Sequence, residues 1–209
     1  MSDFSLIETM RWEPDTGIVR LRLHLARLKR SAGRLGFAGA DKAAERLADI
    51  RGESLPLRIR LTLSPTSEIA ITTAPFSPLP EDTVWRVAIT STRLDSSNKL
   101  LRHKTTNRDI YEAARAEYPA AEADEILLLN ENGEPCEGTI TSIFLDDGTG
   151  ILKTPPISCG LLAGVLRTEM ICARRARIQH LTLADLQTGT LYMGNSLRGL
   201  IRAKLLPGN

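Results

Sequence analysis

Lys104 stands in the stretch RHKTTNRDIYEAA, residues 102–114, behind Leu100-Leu101 and ahead of Thr105 and Thr106, where helical spacing is about to begin. An amine held beside apolar residues at a helix entrance is partly desolvated, which favours its neutral, nucleophilic form. Most lysines are solvated charges, so this one gains meaning only from the residues that accompany it. Glu137 lies in NENGEPCEGTITSIFL, after a turn and at the head of an apolar strand. A carboxylate facing a core there is costly without a partner, whereas at an exposed strand edge it costs little. Arg27, in HLARL, sits on a helix with one apolar side and either reaches inward to an anion or stays on the surface. Gly164-Val165-Leu166-Arg167 enters a helix from a glycine-containing loop, which leaves the N–H groups of Val165 and Leu166 for an anion. Gly194-Asn195-Ser196 makes a second small-residue loop with a hydroxyl. Each signal alone is weak.

A reactive lysine usually serves an aldehyde cofactor or a keto substrate. Pyridoxal phosphate would need an acid for its ring nitrogen, cations and N–H donors for its phosphate, and a lysine able to act as a base. The chain offers a candidate for each part.

The elements that must carry these residues are legible as alternating and helical patterns. Residues 4–12 and 17–23 read as strands about the turn EPDTG, His24–Leu35 as a helix stopped by Gly36, and Asp41–Ile50 as a second helix capped by Asp41. LRIRLTLS (57–64) and EIAITTAP (68–75) read as a hairpin. Residues 1–76 are therefore expected to form a small α+β domain. The proline-rich 77–84 region, which cannot join a ladder readily, is the expected linker. Residues 85–209 form the larger expected domain: WRVAIT a strand, Asn107–Glu117 a helix, EILLLN and TITSIFLDD strands, Leu161–Arg175 a helix, and TLYMGNSLRGLIRAKLL a strand, loop and strand. The fold class expected is α/β (α+β) in two domains.

With 209 residues the chain can bury a full core, and 42% hydrophobic with 25% charged residues is ordinary globular composition. A net charge of +2 with dispersed arginines, and only 4% aromatic residues, argues against nucleic acid as a partner. No stretch nears the ~20 apolar residues of a membrane span, and the N-terminus has no secretory pattern, so a cytoplasmic location is expected. Cys136, Cys159 and Cys172 are odd in number and widely spaced, fitting neither a disulfide framework nor a known metal-ligand spacing; no metal is expected.

Taken in order, the blocks HLxRL, HKTxNR, NENGEPxEGTxxxxF, TPP…GVLR and GNSLRG resemble the fold-type IV pyridoxal-phosphate enzymes, the class IV aminotransferase family, from about Leu6 to Ala203. That family includes branched-chain and D-amino acid aminotransferases and 4-amino-4-deoxychorismate lyase. The resemblance implies a two-domain fold with pyridoxal 5'-phosphate in the interdomain cleft, a homodimer, and a small amino-acid-like substrate. It implies that Lys104 forms the internal aldimine and then moves the substrate's Cα proton, and that Glu137 pairs with the pyridine nitrogen. Arg27, the N–H groups of Val165 and Leu166, and the Ser196 hydroxyl would hold the phosphate. Asn107, Arg108, Tyr111, Thr9 and Asn195 stand as substrate or surrounding contacts, and Arg108 is equally a helix-surface charge.

The Lys-Thr-x-Asn-Arg pattern resembles the lyase branch more than the branched-chain transaminases. The implied activity is therefore conversion of 4-amino-4-deoxychorismate to 4-aminobenzoate and pyruvate, a folate-precursor step. An amino acid aminotransferase is the alternative, and a non-catalytic member a second. Two departures stand out: Ser142 occupies a position usually held by Asn, and the sequence begins almost at Glu8-Thr9-Met10-Arg11.

Overall fold

Along β1 (Leu6–Glu13), Leu6, Glu8, Met10 and Trp12 are all buried, because alternate side chains of a strand share one face. This strand pairs antiparallel with β2 (Gly17–Ile18) and β3 (Leu57–Leu63), and β3 pairs with β4 (Ile69–Pro75), in the order β2-β1-β3-β4. Helix α1 (Leu21–Leu35) buries Leu28 and Ala32 in the same cluster as Met10, Ile59 and Leu61, and the short α2 (Ala43–Ala48) adds Ala43 and Leu47. The computed structural model describes residues 4–52 and 54–207. Their contacts divide the chain into two units, Met1–Pro78 with His103–Asn107, and Leu79–Arg102 with Arg108–Asn209.

In the second unit the elements run β5 (Val84–Leu94), α3 (Asp109–Ala116), β6 (Glu125–Asn130), β7 (Pro135–Gly138), β8 (Ser142–Asp146), β9 (Leu152–Thr154), α4 (Val165–Cys172), β10 (Ala176–Ile178), α5 (Leu183–Thr188), β11 (Thr190–Asn195) and β12 (Gly199–Leu205). The strand order is β10-β9-β8-β11-β12-β5-β6-β7, and β7 also pairs with β8 through Glu137 and Ser142. That pairing closes β8-β11-β12-β5-β6-β7 into a ring. Val87, Leu127, Ile143, Leu191 and Met193 form one apolar cluster. Ala88, Ile126 and Leu128 pack in another with Ala114 of α3, and Phe144 packs in a third with Leu166 and Met170 of α4. Every residue of β6 is buried, as expected of a strand covered on both faces.

Several expected elements differ. The strand expected over 17–23 ends at Ile18, and α1 already begins at Leu21. Leu21, Leu23 and Leu25 alternate like a strand, but Leu21, Leu25, Leu28 and Ala32 also keep helical spacing, and the turn at Arg20 (φ 59°) settles the choice. Asp41 does not cap a helix; it lies inside a 3-10 turn, Ala40–Lys42, that leads into α2. The helices expected over 107–117 and 161–175 are shorter, Asp109–Ala116 and Val165–Cys172. The short strands β7, β9 and β10 and helix α5 had no expectation. Residues His103–Asn107, expected in the larger domain, belong with the first unit, and the division at Pro78/Leu79 leaves most of the 77–84 stretch with the second. Among the described residues no helix is long and apolar enough to cross a membrane.

Candidate active site

Lys104 lies on a short segment stitched to the start of β1. Ile7 N–H donates to the Lys104 carbonyl at 2.9 Å, Thr106 N–H to the Ser5 carbonyl at 2.9 Å, and Leu6 and Thr105 form an antiparallel bridge. Ser5 N–H also donates to Thr106 Oγ1 at 2.9 Å. His103 Nδ1 meets Ser31 Oγ on α1 at 2.9 Å, so the segment is fixed to strand and helix alike. Lys104 is half-buried and Asn107, three residues on, is exposed.

The residue following Ile7 on β1 is Glu8, only 2% exposed, a carboxylate on the apolar face of its strand. Arg27 answers it with a fork: Nε donates to Oε1 at 2.8 Å and Nη2 to Oε2 at 2.6 Å. His24 Nδ1 meets Oε2 at 2.6 Å. Burial alone would raise the Glu8 carboxyl, but the Arg27 charge and the hydrogen bonds from Arg27 and His24 hold it at about 2. Burial pushes His24 down, against the pull of Glu8. Arg27 is thus inward, as the anion reading requires, with two of its nitrogens bound to Glu8. His24, Arg27 and Ser31 share a helix face at spacings of three and four. Of that stripe the sequence reading gave a role only to Arg27, and it named Glu8 only within the block Glu8-Thr9-Met10-Arg11. Thr9, half-buried, lies on the opposite side of β1 from Glu8.

In the second unit Glu137 is 5% exposed. Tyr111 O–H donates to its Oε1 at 2.7 Å and Leu162 N–H to its Oε2 at 3.2 Å. Burial and the Glu137 charge push the Tyr111 hydroxyl far above its ordinary range, so it remains a proton donor. The buried-acid reading of Glu137 is the one the fold adopts. Arg108 is not a solvated surface charge: Nη2 donates to the Thr139 carbonyl at 2.7 Å, and the guanidinium lies 4.9 Å from the Tyr111 ring centre.

Helix α4 begins after Gly164, and its first backbone acceptor, the Gly164 carbonyl, takes the Thr168 N–H. The N–H groups of Val165 and Leu166 therefore have no acceptor within the helix. A Cβ on Gly194 would lie 2.9 Å from Leu166 Cδ2, which places the end of β11 against the start of α4. Ser196, 7% exposed, follows directly. Asn195 shapes that turn, its Oδ1 accepting from Leu197 and Arg198 N–H and its Nδ2 donating to the Ile140 carbonyl. Its amide is spent on the backbone. Ser142 Oγ would sit 2.6 Å from a Cβ on Gly164, so the small serine and the glycine occupy one tight place.

Two supporting groups were given no role by the sequence reading. Glu125, 1% exposed, accepts from the N–H groups of Ile126, Thr139 and Ile140 and from the hydroxyls of Thr139 and Thr141. Arg167 donates to Thr154 Oγ1 and to the Pro155 carbonyl, tying α4 to the Thr-Pro-Pro stretch. An acid heading a wholly apolar run (EILLLN) and an arginine in an apolar helix were the available signals.

These groups suit pyridoxal phosphate by their chemistry. A buried carboxylate that accepts from Tyr111 O–H and Leu162 N–H suits a protonated ring nitrogen, and helix N–H groups with no acceptor in their own helix suit a phosphate. Comparison with known proteins points the same way. The pattern of the class IV aminotransferase family matches residues 5–206. A protein of Mesorhizobium loti, provisionally named an amino-acid aminotransferase, is 48% identical with a TM-score of 0.90, covering 98% of this chain and 100% of its own. The 4-amino-4-deoxychorismate lyase of Pseudomonas aeruginosa shares the fold at 24% identity and a TM-score of 0.79, over 98% of this chain and 84% of that one. So does the branched-chain aminotransferase of Thermoproteus uzoniensis, at 24% and 0.81, over 97% and 78%. Among curated proteins nothing matches.

Proposed function

Because the chain belongs to the class IV aminotransferase family, whose members are pyridoxal-phosphate-dependent enzymes, we propose that it is a lyase converting 4-amino-4-deoxychorismate to 4-aminobenzoate and pyruvate. Pyridoxal phosphate, when bound, supplies an aldehyde for the substrate amine and a conjugated ring that accepts the electron pair left at Cα. Lys104 would hold the cofactor through its amine, and the same amine would take the proton from the amine-bearing carbon of the substrate. Glu137 keeps a negative charge toward the ring nitrogen, steadied by Tyr111 and Leu162. The Arg27 guanidinium, the Val165 and Leu166 N–H groups and the Ser196 hydroxyl bind the phosphate. Thr9, Asn107 and Asn195 line or support the substrate side. Loss of the Cα proton and of enolpyruvate from the adjacent ring carbon leaves the aromatic amine, and the enol takes up a proton to become pyruvate.

Arg108 carries the choice of the lyase. It completes the Lys-Thr-x-Asn-Arg pattern, and its guanidinium suits a substrate with two carboxylates. The amino acid aminotransferase reading is favoured instead by the provisional name of the 48%-identical Mesorhizobium loti protein. One assay separates them. Protein supplied with pyridoxal phosphate should show a borohydride-reducible visible absorption band, absent from Lys104→Ala, and should release 4-aminobenzoate and pyruvate in equal amounts. Amine transfer from amino acids to 2-oxoglutarate without 4-aminobenzoate would replace the lyase with the aminotransferase. A wild-type protein with no such band would overturn both.

A further inference from the structure

Away from these residues, three side chains distant in sequence converge within the second unit. Glu134 ends the turn before β7, Cys159 closes a 3-10 turn after β9, and His180 follows β10. Cys159 Sγ lies 3.7 Å from His180 Nδ1, and His180 Nδ1 lies 2.8 Å from Glu134 Oε1. One ligand atom from each falls within 4.8 Å of the others. We propose that Glu134, Cys159 and His180 form a three-ligand site for a divalent transition metal ion, zinc by the chemistry of its donors.

Thiolate, imidazole and carboxylate are the ligand types of zinc, and metal–ligand bonds of about 2.0–2.3 Å in a tetrahedron put neighbouring ligand atoms roughly 3.3–3.6 Å apart. The observed separations bracket that range, so small side-chain rotations suffice. The groups behind the ligands are in place. Asn130, fully buried, donates through Nδ2 to Glu134 Oε2 at 2.7 Å and to the Cys159 carbonyl at 3.2 Å. Cys136 Sγ–H points at the same carbonyl, at 3.1 Å. Such supports orient metal ligands and strengthen their hold. Cys159 is 1% exposed, while the His180 side chain is 64% exposed and gives an ion a way in.

The Cys159 thiol must give up its proton to bind a metal ion. Binding releases that proton to solvent as the metal–sulfur bond forms. The ion would clamp two segments that hold Glu137. Glu134 lies three residues before it, and Cys159 three residues before Leu162, whose N–H binds its Oε2. The site does not depend on which reaction the protein catalyses.

The test uses untagged, full-length protein and cobalt(II) as the probe, followed by zinc. One equivalent of cobalt should bind with a thiolate charge-transfer absorption and be displaced by zinc. The absorption should vanish in Cys159→Ser, with affinity at least ~10-fold weaker in His180→Ala and Glu134→Gln and unchanged in Cys172→Ser. Zinc at about 100 times its Kd should raise the wild-type Tm by several degrees and leave the Cys159→Ser Tm in place. Because the His180 side chain is exposed, its variant decides the matter even where Cys159→Ser folds poorly. Absence of the absorption in wild type, its loss in Cys172→Ser instead, or full-strength binding in His180→Ala would overturn the site.

Discussion

Glu8 shows how much one buried charge can hold in place. It sits where the β1 alternation calls for an apolar side chain, and it is tolerated there because Arg27 and His24 satisfy it. Its folded-state carboxyl, at about 2 against an ordinary 4.5, fixes the sign of an acid effect. Above about pH 4.5 the contribution is complete. As the pH falls from there toward 2, the unfolded chain takes up a proton that the folded chain refuses, and stability is lost. His24, whose value burial lowers, adds a loss in the same sense as the pH falls below 6.5. The Glu8 shift corresponds to about 3 kcal/mol at neutral pH. Glu8→Gln should therefore destabilise the first unit by about that amount at pH 7 and much less near pH 2.5. Trp12 belongs to the first unit's core and Trp85 to the second's, so Trp12 fluorescence in a Trp85→Phe background follows the relevant unfolding. A gap between wild type and variant that stays constant from pH 7 to pH 2.5 would sink this account. The sequence showed Arg27 on a helix with one apolar side but left open whether it pointed inward. Only a partner 19 positions away decided that.

At the scale of elements, the decisive piece is the stretch from β7 to β8. Gly138 ends β7, and Glu125 of β6 gathers the backbone and hydroxyls of residues 139–141 beneath it. A Cβ at Gly138 would come 2.4 Å from Thr141 Oγ1 and 2.8 Å from the Glu125 carboxyl. Nothing larger than glycine fits. Gly138→Ala should cost about 1–3 kcal/mol by chemical denaturation followed through Trp85, and it should weaken pyridoxal-phosphate binding because Glu137 is the neighbouring residue. An unchanged denaturation midpoint would mean that the loop yields freely. β7 was invisible as a strand because four residues containing proline and glycine carry almost no periodic signal. β6, with its continuous apolar run, was plain.

For the whole molecule, the family resemblance leads us to expect a homodimer. Light scattering on the purified protein should give about twice the 23.0 kDa chain mass, and a mass of one chain would overturn the dimer. By itself the sequence determined the longer elements and the roster of chemical groups. A long apolar run or a repeating face is written locally, and so were Lys104, Glu137, Arg27 and the glycine-led helix start. The tertiary structure alone decided what each group touches. It put His103–Asn107 with the first unit, although its chain neighbours on both sides belong to the second. It gave Tyr111 to Glu137 and Glu8 to Arg27, and drew Glu134, Cys159 and His180 together. The reason is physical: secondary structure follows from near neighbours along the chain, whereas the partner of a buried charge or thiol is set by strand order and packing, which bring together residues that no local pattern connects.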